Sequence, residues 1–373
     1  MILKIEDIQQ VCSKLLNAVD SSSSFTINET LELKTEDKNL YLSVTNREYY
    51  VRVKIGLLDE EEFHATVNAN VFLKLMAQIT TDTVELGIED NSLTIKGNGV
   101  YKLPMIYEND QLLELPKIEM NNVTSSFNIS TTILDRIFNY NSKEISKGIF
   151  SKPVQKMYYV DEKGCITFTT GACITTFTLS TPIKLLLTNK VVKLFKLFTT
   201  DNVSFAMGHD VVDGSDIAQS KIKFSSDDVE LTSILPGDDE LINSIPVNAI
   251  RGRVEDSYKY SIVVNKDDMI QTINRLLLFN SSKDILKPYS TFEFNKDSMT
   301  IYDRKKENKE IIKYTNEIES FDEMYTTALD LTDLKYVLEN CKESHVTMNF
   351  GNEQAVVIQR PNIYNVIPEC HLD

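Results

Sequence analysis

Three stretches of the chain share one pattern of apolar and polar positions: a short alternating run, a residue able to cap a helix, and an amphipathic helical segment. They are FHATVNANVFLKLMAQI from Phe63, IKLLLTNKVVKLFKLF from Ile183 and TTALDLTDLKYVLENC from Thr326. Their capping positions are Asn68, Thr188 and Asp330, whose side-chain oxygens can accept an orphan amide hydrogen at a helix start. Aligned on these caps, Phe72, Val192 and Leu334 coincide, as do Leu75, Phe195 and Val337, at the spacing of one helical face. A second helical segment precedes each by some 60 residues: Glu6 to Val19, Thr131 to about Lys147, and Lys266 to Asn280, the last capped by Asn265. Ile8, Val11, Cys12, Leu15 and Leu16 form the stripe of the first; Met269, Ile270, Ile273, Leu276 and Leu277 form that of the last.

Between the helices the chain alternates with the period of a half-buried strand. Examples are LYLSVTNREYYVRVKI from Leu40, TVELGIEDNSLTIKG from Thr83, ITFTTGACITTFTL from Ile166 and AVVIQRPNIYNVI from Ala355, with turn residues such as Gly351-Asn352 between runs. The pattern predicts an α+β protein of three repeated units, each with two helices on antiparallel sheet. The boundaries fall near Asn122 and Val247, giving units 1–122, 123–246 and 247–373.

A chain of 373 residues, 42% hydrophobic and 25% charged, is long enough for two or three packed domains. It has no apolar run of about 18 residues, and Glu6 and Asp7 interrupt the apolar start, so neither a membrane span nor a signal peptide is expected and the cytoplasm is the expected location. Five cysteines, Cys12, Cys165, Cys173, Cys341 and Cys370, are odd in number and never two residues apart, which argues for free thiols. The four histidines, His64, His209, His345 and His371, have no metal-ligand spacing. With only 12 glycines, no GxSxG and no phosphate-cradling loop, no catalytic residue, metal or cofactor is expected.

A formal net charge of −16 speaks against a nucleic-acid partner unless the cations are segregated. The segment from Asn189 carries Lys190, Lys193 and Lys196 at three-residue steps, and Lys14, Lys74, Arg136, Lys143, Lys147, Arg275, Lys283 and Lys335 lie on or beside other helical segments. Carboxylates gather instead in runs such as Asp59 to Glu62, Asp227-Asp228 and Asp238 to Glu240. A solvated helix face accounts for any one of these lysines. Three equivalent helix pairs on one side of a curved array would instead converge on a surface that tracks phosphates without reading bases.

The stretch from Phe63 to Ile106, with HATVNANVFLKLMAQI, then VELGIEDNSLTIKGNGVYKLPMI and the following LLELPKI, resembles the first domain of the bacterial DNA polymerase III beta subunit, the sliding-clamp family. More weakly, TTGACITTF from Thr169 and the final NVIPECHLD resemble the segments that build that family's partner pocket. The resemblance implies three clamp domains per chain and a head-to-tail homodimer closed into a ring, with helices lining the hole. Such a protein is no enzyme; it encircles double-stranded DNA regardless of sequence and holds DNA polymerase and clamp loader through short linear motifs. Carried over residue by residue, the peptide pocket comprises Val154, Thr169, Gly171, Ile174, Asn243, Ser244, Ala355, Val366, Ile367 and Pro368. The DNA-facing cations are Lys14, Lys74, Arg136, Lys143, Lys190, Lys193, Lys196, Arg275 and Lys335.

The subunit junction implied in the same way pairs the strand around Tyr101 and Leu103 with the helix end at Leu277, Leu278 and Phe279, although Leu277 fits its own domain's core equally well. Departures from the family pattern at Thr170, Ala172 and Cys173, and at Glu369, Cys370 and His371, imply an altered peptide preference. The alternative reading is a clamp-fold scaffold that no longer closes on DNA and serves one mobile-element polymerase. A metal-dependent hydrolase is a third reading, for which no constellation assembles.

Overall fold

The structure is a computed structural model that describes residues 1–19, 26–57, 61–143, 145, 152–169, 171–211, 218–236, 239–280, 289–318, 321 and 323–370. Eight α-helices occur among the described residues: α1 (Ile5–Leu15), α2 (Ala69–Met76), α3 (Thr131–Asn139), α4 (Asn189–Lys193), α5 (Asp239–Asn243), α6 (Val247–Glu255), α7 (Lys266–Asn280) and α8 (Leu331–Glu339). The caps form as the sequence predicts. Asn68 Oδ1 accepts from the Val71 amide at 3.0 Å, Thr188 Oγ1 from Val191 at 3.4 Å, Asp330 Oδ1 from Thr332 at 2.8 Å, and Asn265 Oδ1 from Asp267 at 2.9 Å. Phe72, Val192, Leu334, Phe195 and Val337 are buried, as the shared helical face requires, while Leu75 is half-buried.

Three helices differ from expectation. α1 ends at Leu15, four residues short of Val19. The segment from Thr131 is helical only to Asn139 and continues as a 3₁₀ turn, Asn141–Lys143; Lys147 and Lys283 lie outside the described residues. α4 has five residues before tightening into a 3₁₀ helix, Leu194–Leu197. Two helices the periodicity did not announce, α5 and α6, follow Pro236 and Pro246.

The chain divides into two compact units, one of residues 1–138 and 187–236, the other of residues 139–186 and 237–373. Each holds one eight-stranded and one four-stranded antiparallel sheet. In the first unit the long sheet runs Val123–Ser130, Asn202–Val211, Ala218–Ser225, Val229–Ile234, Tyr49–Gly56, Asn39–Thr45, Thr30–Glu36, His64–Asn68, and the short sheet runs Ile2–Lys4, Thr83–Glu89, Ser92–Lys96, Val100–Pro104. In the second the long sheet runs Lys184–Thr188, Met157–Asp161, Gly164–Phe168, Ala172–Thr176, Ile363–Pro368, Ala355–Arg360, His345–Phe350, Tyr260–Asn265. Its short sheet runs Lys309–Lys313, Ser298–Tyr302, Tyr289–Phe294, Tyr325–Asp330. Every long sheet is thus two quartets of strands laid edge to edge.

Both units pack paired helices onto these sheets. In the first, Gln9 Nε2 on α1 donates to the Met76 and Ile79 carbonyls, each at 2.8 Å, satisfying acceptors that the end of α2 leaves open. Arg52 ties the two quartets of the long sheet, with Nε 3.4 Å from Glu230 and Nη1 3.2 Å from Glu36, and its guanidinium lies 4.0 Å from the Tyr41 ring centroid. In the second unit α7 and α8 contribute Met269, Ile273, Leu276, Leu334 and Leu338 to a core whose aromatic centre is Phe294 stacked on Phe350, centroids 4.0 Å apart. Cys12, Cys165, Cys173 and Cys341 are buried thiols outside any disulfide, and burial pushes the Cys12 thiol up to about 12, out of the reactive range.

Candidate functional site

In the second unit, the strand Ala172–Thr176 meets Ile363–Pro368 in antiparallel register, Ala172 opposite Val366. Above this join, α6 and the link Ser244 to Pro246 before it bound an open cavity of about 600 Å³. Its floor is apolar, formed by Phe168, Ala172, Ile245, Ile250 and Val366, and its edges carry Lys152, Gln155, Ser244, Arg253 and Gln354. The charged groups on its lining are both cationic, and Arg253 is held by Asp256 at 3.2 Å. An apolar trough with a few polar groups along its rim suits a short linear peptide with apolar anchors.

Of the ten residues expected here, Val154, Gly171, Ser244, Ala355, Val366 and Pro368 line the cavity. Four do not. Ile367 alternates with Val366 and Pro368 along its strand and therefore enters the opposite core, beside Val356 and Ile358. Ile174 lies one pleat further from the mouth and is buried under Tyr159, Ile166 and Leu186. Thr169 forms the turn, its amide donating to the Gly171 carbonyl at 3.2 Å. Asn243 faces a second, polar cavity of about 340 Å³ that shares Ile245, Pro246 and Ala249 with the first. The sequence reading missed Lys152, Gln155, Phe168, Ile245 and Gln354, and with them Pro246 and α6; for α6, Val247, Ile250 and Val254 at helical spacing after a proline were the available signal.

Among the departures, Ala172 lies on the floor, Cys173 is buried away from it, and Thr170 and His371 lie outside the described residues. Glu369 turns from the cavity to the neighbouring short sheet, accepting from Tyr325 Oη at 2.7 Å and Thr327 Oγ1 at 2.8 Å. Burial, and next the Glu369 carboxylate, push the Tyr325 hydroxyl well above its ordinary value.

The expected cations do sit on or beside helices, but not all are available. In the first unit Lys74 and Lys193 are exposed on α2 and α4, and Lys14 Nζ lies 3.4 Å from Thr199 Oγ1. There Lys196 stands 4.2 Å over the Phe138 ring of α3, which also carries half-buried Arg136, and Lys190 is 3.5 Å from Glu48. In the second unit Lys143 is exposed, and Lys335 pairs with Glu339 one turn on at 3.6 Å. Arg275 is engaged within its own unit: it grips Glu310 through Nε at 2.7 Å and Nη2 at 2.5 Å, so its guanidinium fastens α7 to the strand Lys309–Lys313.

At the expected junction, Tyr101 and Leu103 lie on Val100–Pro104, the edge strand of the first unit's short sheet. Leu277 packs against its own core, whereas Leu278 and Phe279 are 74% and 60% exposed. Lys309–Lys313 is likewise an edge strand, with Ile311 64% exposed. Among the described residues no cluster of His, Cys, Asp and Glu could hold a metal ion, and no helix is long and apolar enough to cross a membrane.

These features define a sliding-clamp fold. No family model matches the sequence, and no curated protein does. Solved structures match over the whole chain. A Pseudomonas aeruginosa sliding clamp, DNA polymerase III subunit beta, bound to griselimycin has a TM-score of 0.77 at 14% identity, covering 100% of this chain and 99% of that one. The DNA polymerase III beta subunit of Thermotoga maritima gives 0.76 at 14%, and a Helicobacter pylori beta clamp bound to a DNA ligase peptide gives 0.71 at 15%, each with the same coverage of 100% and 99%.

Proposed function

We propose that this chain is a DNA sliding clamp: a homodimer, closed head to tail, that encircles duplex DNA without reading its sequence and holds a polymerase and a clamp loader through the apolar cavity. The carrying observation is the strand arithmetic. Apart from the two-stranded ribbon Tyr107–Glu108 and Gln111–Leu112, the strands among the described residues fall into six quartets, two within each of residues 1–122, 123–246 and 247–373, which supports a three-domain division. Four quartets are joined in pairs; the remaining two end in the edge strands Val100–Pro104 and Lys309–Lys313. A head-to-tail contact between two copies that joins these edges makes an interface of the same kind as the two inside the chain, and closing the ring twice over leaves neither edge exposed. Retention is then topological, so catalytic groups are not called for and a sparse set of helix cations suffices.

The deciding experiment is light scattering combined with retention on nicked circular DNA before and after linearisation, with a clamp loader supplied. The expected result is a dimer that stays on circles and runs off cut ends. A monomer, or binding indifferent to cutting, favours the scaffold reading, to which Arg275 and Lys190 lend support by already facing carboxylates. On the clamp reading, Lys74→Ala/Lys193→Ala slows loading, with the salt slope of log K falling by about 0.9 for each phosphate no longer neutralised, yet leaves retention on circles intact. Escape of that variant from uncut circles would show that charge, not closure, holds the protein on DNA.

A further inference from the structure

The wall of the peptide cavity formed by α6 is held in an unusual way. None of its described residues is buried, it starts at Pro246 without a side-chain cap, and it contains Gly252, a residue that weakens helices. Val247, Ile250 and Val254 only half-bury against the sheet. Its strongest tie is Arg251, which donates Nη1 to Asp161 Oδ2 at 2.7 Å and Nη2 to Asp161 Oδ1 at 2.6 Å. That carboxylate is itself fixed. Its side chain is 5% exposed, and Oδ1 also accepts from the amides of Lys163 at 2.9 Å and Gly164 at 3.1 Å. Gly164 is essential to this turn, because at φ +154° a Cβ would stand 2.2 Å from the Thr175 carbonyl oxygen.

Burial alone would raise the Asp161 carboxyl, but the Arg251 hydrogen bonds and the Lys163 amide hold it below its ordinary value. The pair therefore stays ionised at neutral pH. It does not touch the peptide cavity: Ala249, Ile250 and Arg253 line that side of α6, whereas Asp161 and Arg251 line the second, polar cavity. A helix with space on both sides, little burial and one bidentate anchor takes its position from that anchor.

We infer that the Asp161–Arg251 pair is a latch that sets the width of the peptide cavity by fixing α6, making these two positioning residues for client selection. The inference rests on the peptide-pocket reading, and its test separates the two. Full-length wild type, Arg251→Met, Asp161→Asn and the double variant are compared by hydrogen exchange across residues 247–255 and by titration with griselimycin.

The expected result is exchange in α6 at least ~10-fold faster in all three variants, with griselimycin bound about 10-fold more weakly by each. The double variant distinguishes positioning from simple charge burial. If each single variant suffered only from an uncompensated buried charge, removing both charges would restore exchange and affinity, and that outcome overturns the latch. Wild-type exchange rates in Arg251→Met overturn it too, as does unchanged affinity in a variant of a wild type that binds. A wild type that binds no griselimycin while its variants exchange faster in α6 would sink the peptide-pocket reading and support the latch as α6's anchor.

Discussion

Ile311→Asp/Phe279→Asp runs as a monomer at micromolar concentration and is lost from nicked circular DNA. Ile311 and Phe279 are exposed in the single chain, at 64% and 60%, on the edge strand Lys309–Lys313 and at the end of α7. Isolated apolar residues on a surface are ordinary, but Ile311 lies on an open sheet edge, where a bare row of amides and carbonyls invites another strand, and Phe279 ends the helix that Arg275 fastens to that strand. Inside the chain the equivalent edges are covered: Val229–Ser233 pairs with Tyr49–Val53, and Ala172–Thr175 with Ile363–Val366. If the free edges join in the same way, the two side chains each contribute about 1.5–3 kcal/mol through burial. Replacing both with carboxylates loses about 4 kcal/mol or more at each of the two junctions once desolvation of the charges is included, a factor of roughly 1,000 per junction in the dimer dissociation constant. The melting temperature of the monomer changes little, because exposed positions are usually worth within about 0.5 kcal/mol. Light scattering decides the matter: a double variant that stays dimeric places the subunit junction elsewhere.

How much of this could be read from the sequence depended on how local each feature is. Caps are local chemistry, so Asn68, Thr188, Asp330 and Asn265 marked their helices, and the three-fold recurrence of cap and face organised the chain before any contact was known. The run Leu276 to Phe279 was legible by period: Leu276 is core, Leu277 leans on it, and Leu278 and Phe279 point outward. α6 left only a faint mark, Val247, Ile250 and Val254 after Pro246, since a helix with no buried residue and an internal glycine carries little apolar stripe. Arg275 looked like any helix cation because its partner, Glu310, is 35 residues away in sequence. Sheet order is equally non-local. Alternation says that a segment is a strand and which residues face inward, but not that Val100–Pro104 and Lys309–Lys313 lie at edges. The pocket was half legible for the same reason: Val366 and Pro368 follow from the tail segment, while Ile245, Pro246 and Ile250 arrive from α6 and the link before it, whose place is set by tertiary packing.

Gly171→Ala melts earlier than wild type by roughly 6–12 °C and, on the peptide-pocket reading proposed above, loses griselimycin binding. Gly171 lines the cavity one residue before the strand Ala172–Thr176, and a Cβ there would stand 2.0 Å from the Val366 carbonyl oxygen and 3.2 Å from Pro368 Cδ. The first contact is with backbone that no rotamer change can move. Ala172 pairs with Val366, so relief requires prising apart the join between Ala172–Thr175 and Ile363–Val366 at its mouth. Loss of that register and of the packing above it costs about 3 kcal/mol, and at 2–4 °C per kcal/mol for a unit of this size the melting shift follows. Gly87→Ala is the control: it also lies in a strand, but an added Cβ meets nothing within 4 Å, and its melting temperature stays close to wild type. Calorimetry gives the first readout, and titration well below the transition gives the second, so that lost binding is measured on folded protein. An unaltered melting temperature in Gly171→Ala would mean that the turn yields freely and the close approach is incidental. The expected result ties recognition to assembly, because the approach of Gly171 to Val366 both closes the eight-stranded sheet and shapes the cavity beside it.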